Sequence, residues 1–119
     1  IDKVSVGSLS GFINRMMGRC GLSTDALAEL SVLNRASLYK ILNGSTRRPQ
    51  RNVLLRLACT LGLNIEETQA LLKCGGQAAL SGQRPRDIVI MDGVVHGRSI
   101  EDISDQLDEY GFQNLYEKG

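Results

Sequence analysis

Apolar residues in this chain fall in short periodic runs, most of them closed by a glycine. Leu9, Phe12, Ile13, Met16 and Cys20 recur at spacings of three and four, which predicts an amphipathic helix from about Ser8 to Cys20, with Ser8 as N-cap and Gly21 as stop. Ser23 stands where the next cap belongs. Thr24, Asp25 and Ala26 then form a first turn, and Leu27, Ala28 and Leu30 are the buried candidates of a short second helix reaching about Ser31. Asn34 caps a third helix from Arg35 to Asn43, with Leu38, Ile41 and Leu42 on one side, Gly44 as stop and a polar, basic opposite side. Past the loop Ser45-Thr46-Arg47-Arg48-Pro49, a fourth helix is marked by Leu54, Leu57, Ala58 and Leu61 and ends at Gly62. Asn64 caps a fifth, carrying Ile65, Thr68 and Leu72 to Gly75.

The rest of the chain is less regular. Residues 75–82 are rich in glycine yet partly apolar and read as a connector. Pro85 at a first helical position and Gly97 past the end frame a sixth helix containing Ile88, Met91, Val94 and Val95. A short strand pair is the alternative, because Ile88-Val89-Ile90-Met91 is β-rich and Asp92-Gly93 between apolar residues is a hairpin signal; the helix is the preferred reading. Ser99 with Asp102 resembles a capping box, and Ile100, Ile103, Leu107 and Tyr110 fall at helical spacing before Gly111. The pattern predicts an all-α chain of seven helices: a five-helix unit over residues 1–74 and a two-helix C-terminal extension over 75–119.

Composition narrows the function. A chain of 119 residues with 42% hydrophobic residues has material for one core without metals or staples. Charged residues at 23% and a net charge of +1 argue against disorder. No apolar run approaches the roughly 18 residues of a membrane span, so a soluble chain with no membrane partner is expected. With aromatics at 4% and no Trp, stacking platforms for unpaired bases are disfavoured. Cys20, Cys59 and Cys74 form no Cys-x-x-Cys pair and the single histidine, His96, is remote from them, so no metal site, cofactor or disulfide framework is legible. Buried reduced thiols in a cytoplasmic protein are the expectation. His96, near the end of the sixth helix, reads as a partner of the helix dipole rather than a catalytic base. With no phosphate loop and no Ser-His-Asp order, an enzyme is not expected. The chain starts at Ile1 rather than methionine, which leaves a preceding segment open; nothing within it resembles a targeting sequence.

The small net charge hides an asymmetry. Residues 1–60 carry nine Lys/Arg against three Asp/Glu, whereas 61–119 carry five against ten, so the halves stand at +6 and −5. A basic half can meet phosphates that an acidic half repels. Two short helices joined by a tight turn, the second basic on its outer side, also meet the requirement for entering the major groove of duplex DNA.

At these residues the chain resembles a known family. The run Gly21-Leu22-Ser23-Thr24-Asp25-Ala26-Leu27-Ala28-Glu29, followed by Leu33-Asn34-Arg35-Ala36-Ser37-Leu38-Tyr39-Lys40-Ile41-Leu42-Asn43-Gly44 and Pro49, is similar to the helix-turn-helix of the lambda-repressor/Cro-like (XRE) family. The stretch from Leu54 to Asn64 resembles that family's fourth helix and its entry into the fifth, so the likeness covers about residues 8–74. Two positions depart from it. Val32 stands where the turn usually has Gly, which requires a conformation open to a β-branched side chain or a different turn. Thr24 stands where a Gln commonly contacts a phosphate.

The resemblance implies a sequence-specific, double-stranded-DNA-binding transcriptional regulator. It puts Arg35, Ala36, Ser37 and Lys40 on the groove-facing side, with Tyr39 and Asn43 at the flank. Arg35 or Lys40 suits guanine, Ser37 either base type and Ala36 a thymine methyl. Thr24, Asn34, Arg47 and Arg48 are expected at phosphates, where they set register without reading sequence. Ile88, Ile90, Met91, Val94 and Val95 offer more apolar surface than one contact needs, so a homodimer interface is expected there, with two reading helices about 34–36 Å apart. The acidic last helix, with Glu101, Asp102, Asp105, Asp108 and Glu109, is a poor match to phosphates and a candidate contact for a protein partner. The competing readings are therefore an interaction module on the same fold, and an antitoxin-like regulator that uses both faces.

Overall fold

The computed structural model describes residues 8–117; Ile1 and the rest of residues 1–7, assigned above to the first unit, lie outside the described residues, as do residues 118 and 119. Among the described residues there are seven helices and no strand: α1 Leu9–Cys20, α2 Thr24–Leu30, α3 Arg35–Leu42, α4 Arg51–Thr60, α5 Ile65–Cys74, α6 Pro85–Val95 and α7 Ile100–Glu109. Each expected N-cap acts as one. Ser8, Ser23, Asn34, Asn64 and Ser99 accept from backbone N–H groups of the first turns they precede. A reciprocal capping box forms at Asn64 with Glu67. At Ser99 the forward half forms, from the Asp102 N–H; the aspartate side chain is one methylene shorter than the Glu that normally reaches back.

One core runs through all seven helices. Leu27, Leu38, Leu54, Leu57 and Leu71 of the first five are enclosed with Ile90, Ile103 and Leu107 of the last two, and Leu115 beyond them. Helices α1 and α2 support α3, α5 packs along α4, and α7 lies on α6 and α4. Residues 85–95 are helical, and the Asp92-Gly93 pair sits inside that helix rather than in a turn. Gly93 is required by packing: a Cβ there would stand 2.4 Å from Ile103 Cγ1, and Ile103 is fully buried. Three expected apolar positions are exposed instead. Leu30 (57% exposed) and Cys20 end their helices and Tyr110 caps the last one, where the helical stripe has run past its supporting neighbours.

The connector is tied down by side chains. Gln69 donates to the Leu80 carbonyl at 2.9 Å and accepts from its N–H at 2.7 Å, and Gln77 donates to the Pro49 carbonyl at 2.8 Å. Arg51 donates through both Nη nitrogens to Asp87 at 3.1 Å each and to the carbonyls of Ala78 and Ala79. Burial works against the Asp87 carboxylate, but Arg51, the Ser81 N–H and Arg84 outweigh it and hold its pKa below the ordinary value.

The segment after α7 folds back over α4. Arg86 donates to the carbonyls of Gln113 and Asn114 and to Asn52 Oδ1, while Asn52 Nδ2 donates to the carbonyls of Asn114 and Glu117. Arg56, buried in α4, donates to the Ser31 carbonyl at 2.9 Å and to the Leu115 carbonyl at 2.6 Å. A single guanidinium thus joins the end of α2 to the C-terminal segment.

The turn between α2 and α3 keeps the geometry that usually calls for glycine. Val32 has φ +58, its N–H donates to the Glu29 carbonyl, and the Leu33 N–H donates to the Ala28 carbonyl. This is a Schellman termination with a β-branched residue in the left-handed position, where Cβ crowds the backbone at a cost of about 1–2 kcal/mol. Val32 is 58% exposed, so little packing offsets that cost.

Four variants test these points by urea titration. Val32→Gly relieves the strain and stabilises by up to about 1 kcal/mol after the extra freedom of the unfolded chain is counted; destabilisation would show that Val32 is unstrained. Gly93→Ala destabilises by about 1–2 kcal/mol because overpacking against Ile103 exceeds the gain in helix propensity, whereas Gly18→Ala, in α1 with open space around it, stabilises by about 0.5–1 kcal/mol. Asp87→Asn removes the counter-charge of Arg51 and costs about 3 kcal/mol. Because the folded-state Asp87 pKa is depressed, its contribution is present above the unfolded value of about 3.9 and is lost as pH falls through the folded one. The difference between wild type and Asp87→Asn shrinks over that acid window.

Candidate nucleic-acid interface

Helix α3 is short, capped and two-sided. Asn34 Oδ1 accepts from the N–H groups of Ala36 at 2.8 Å and Ser37 at 3.2 Å, satisfying two donors that the first turn would otherwise leave open. Leu38 and Ile41 are buried and Leu42 half-buried, and these anchor the helix on α1 and α2. The other side presents Arg35, Ala36, Ser37, Tyr39 and Lys40 to solvent, with Asn34 before them and Asn43 after. Thr24, at the start of α2, is half-buried.

The loop after α3 is closed by its own hydrogen bonds. Asn43 Oδ1 accepts from the Ser45 N–H at 2.9 Å, and the Thr46 N–H donates to the Lys40 carbonyl at 2.9 Å. This places the exposed Arg47 next to α3. Arg48 is also exposed, but its stem lies along Gly76 at the end of α5: a Cβ on Gly76 would meet Arg48 Nε at 2.6 Å. An open groove of about 510 Å³ lies beside α3, its lining including Ser37, Lys40, Gln50, Val53 and Tyr116.

Two residues here carry a role that sequence reading did not give them. Asp25 pairs with Arg35, its Oδ1 3.1 Å from the guanidinium Nε, across the turn that joins α2 and α3. The spacing of ten residues has no helical or strand period to reveal it. Arg56 holds the Ser31 carbonyl at the start of that turn, and burial lowers its pKa from the ordinary arginine value, partly offset by Tyr116. A single arginine inside Leu54-Leu55-Arg56-Leu57 was the available signal, since a charge in an apolar run needs a partner.

The expected interface residues of α6 divide. Ile90 and Val94 point into the protein's own core, against α7, and this removes them from any surface a partner could meet. Ile88 (49% exposed) and Val95 (65% exposed) face outward, with half-buried Met91 between them at helical spacing. On α7, Glu101, Asp102, Asp105, Asp108 and Glu109 are all exposed. His96 is the C-cap of α6, its Nδ1 2.8 Å from the Asp92 carbonyl.

The thiols are not uniformly buried. Cys20 is exposed and donates to the Leu61 carbonyl at 3.2 Å, Cys59 and Cys74 are half-buried, and no disulfide links them. Burial pushes the Cys59 thiol up to about 11. No helix among the described residues is long and apolar enough to cross a membrane.

Comparison with curated proteins and with solved structures yields no match. A family model described as a helix-turn-helix domain matches residues 8–71, from the cap of α1 into α5. That span is more than half of the chain and contains the α2–turn–α3 pair together with the helices that support it. The protein therefore belongs to the helix-turn-helix domain family, whose second helix is the element offered to the DNA major groove.

Proposed function

We propose that the protein is a sequence-specific regulator of the lambda-repressor/Cro-like (XRE) type that binds double-stranded DNA as a dimer. The observation that carries the reading is the division of α3: Leu38 and Ile41 are locked in the core while Arg35, Ala36, Ser37 and Lys40 are exposed on its outer face. A helix supported in this way fits the major groove, and those four residue types suit base edges. Thr24, Asn34, Tyr39, Asn43, Arg47 and Arg48 are assigned to phosphates and the flank of the groove. Asn34 spends its Oδ1 on capping and keeps Nδ2 as the donor for that purpose.

Dimerisation is assigned to the outward stripe Ile88, Met91 and Val95 on α6, within an extension, residues 75–119, appended to the reading unit of residues 1–74. The second reading is an antitoxin-like regulator or interaction module. It is favoured by one feature, the row of exposed carboxylates on α7, which suits a basic protein surface and repels phosphates.

Selection from a randomised duplex pool at about 150 mM salt tests the first reading, because salt suppresses the non-specific phosphate contribution. The expected result is an inverted repeat with half-sites about 10 base pairs apart. Arg35→Ala lowers affinity for the selected site by about 1–3 kcal/mol and relaxes one position, whereas Arg47→Ala weakens all duplexes alike and reduces the salt slope by about 1. Binding that is indifferent to sequence and vanishes on adding salt transfers the assignment to the interaction module. Light scattering that finds only monomer at micromolar concentration removes the dimer.

A further inference from the structure

We propose that Asp25 is a positioning residue for base readout: it holds the Arg35 guanidinium by its Nε edge and presents the two Nη nitrogens as a fork for guanine. This rests on the DNA-reading role assigned to α3 above. Arg35 is the first residue of α3, at the end from which a recognition helix reaches base edges, and Asp25 is the second residue of α2. Their contact runs from Asp25 Oδ1 to Arg35 Nε at 3.1 Å.

The atom contacted decides the chemistry. A guanidinium has five N–H donors in one plane. The ion pair sets the carboxylate beside the Nε edge, by charge rather than by a hydrogen bond, and leaves the Nη end of the fork without a hydrogen-bond partner among the described residues. Guanine offers O6 and N7 as two adjacent acceptors in the major groove. Adenine offers N7 beside an N6 amino donor, which would oppose one of the two N–H groups. The ion pair thus favours guanine, and by holding a long side chain before binding it lowers the ordering lost on contact.

The position of Asp25 fits this use. The pair is exposed on both sides, so it adds little to folding. A carboxylate next to a polyanion weakens binding to every sequence alike. A first-turn acid favours the dipole of α2, but that effect is indifferent to Arg35. Orienting Arg35 is a function in which the same charge serves discrimination.

The test uses the full chain, the duplex that wild type selects, and the same duplex with guanine replaced by adenine at the position Arg35 reads. Asp25→Asn is expected to reduce discrimination between the two by up to about five-fold. Its affinity for unrelated duplex is not reduced, because a negative charge near the phosphates is gone. Arg35→Lys keeps the charge and the salt slope but loses the fork, and adding Asp25→Asn to it costs no further discrimination. If Asp25→Asn leaves discrimination intact while Arg35→Lys abolishes it, Arg35 reads unaided and the positioning role is overturned. If neither variant changes discrimination, Arg35 is no reader and the role falls with it. If wild type enriches no sequence at all, the DNA-reading assignment of α3 itself fails, and this role with it.

Discussion

Helix α4 is enclosed on nearly every side, so polar groups at Asn52 and Arg56 must find partners inside the protein. They find them in backbone carbonyls from opposite ends of the chain: Ser31 at the end of α2, and Asn114, Leu115 and Glu117 beyond α7. An unpartnered buried arginine is far costlier than a lost surface contact. Both segments are thereby bound to one rod. The turn that aims α3 and the segment that closes the molecule are held by the same guanidinium, and the arrangement of the whole follows from satisfying it.

Presentation of α3 is the product of that constraint. The inner face of the helix carries Leu38 and Ile41, its start is capped by Asn34, and its approach is set by a left-handed residue at Val32. Strained backbone persists only where its surroundings over-determine it. Here the Schellman hydrogen bonds of Val32 and Leu33 and the Arg56 contact to Ser31 all define the same short stretch. The exposed face is thus offered rigidly, with Arg35 already engaged by Asp25 and the basic loop residue Arg47 close to the helix end. The acidic residues on α7 belong to a helix that packs on α6 and α4.

Much of this was legible in the chain because helix ends are written locally. The cap residues Ser8, Ser23, Asn34, Asn64 and Ser99 and the glycines that follow each run act within one turn of themselves, so their meaning survives without a third dimension. Residues 85–95 tested that logic. Asp92-Gly93 carries a hairpin signal, yet Gly93 serves close approach between helices, a requirement set by Ile103 ten residues away. The apolar excess of the same helix misled in a related way: Ile90 and Val94 are consumed by α7, and Ile88 and Val95 are what remains outside.

The sequence by itself determined the seven helices, their caps, the basic side of α3 and the division of charge along the chain, since each depends on residues within a few positions of one another. Only the tertiary structure decided which apolar residues face inward, that Val32 takes the left-handed conformation, that Arg56 joins Ser31 to Leu115, and that Asp25 meets Arg35. Those outcomes depend on pairs distant along the chain, or on a backbone angle imposed against a side chain's own preference. Periodicity carries no information about either, because both are settled by which surfaces come to share one enclosed space.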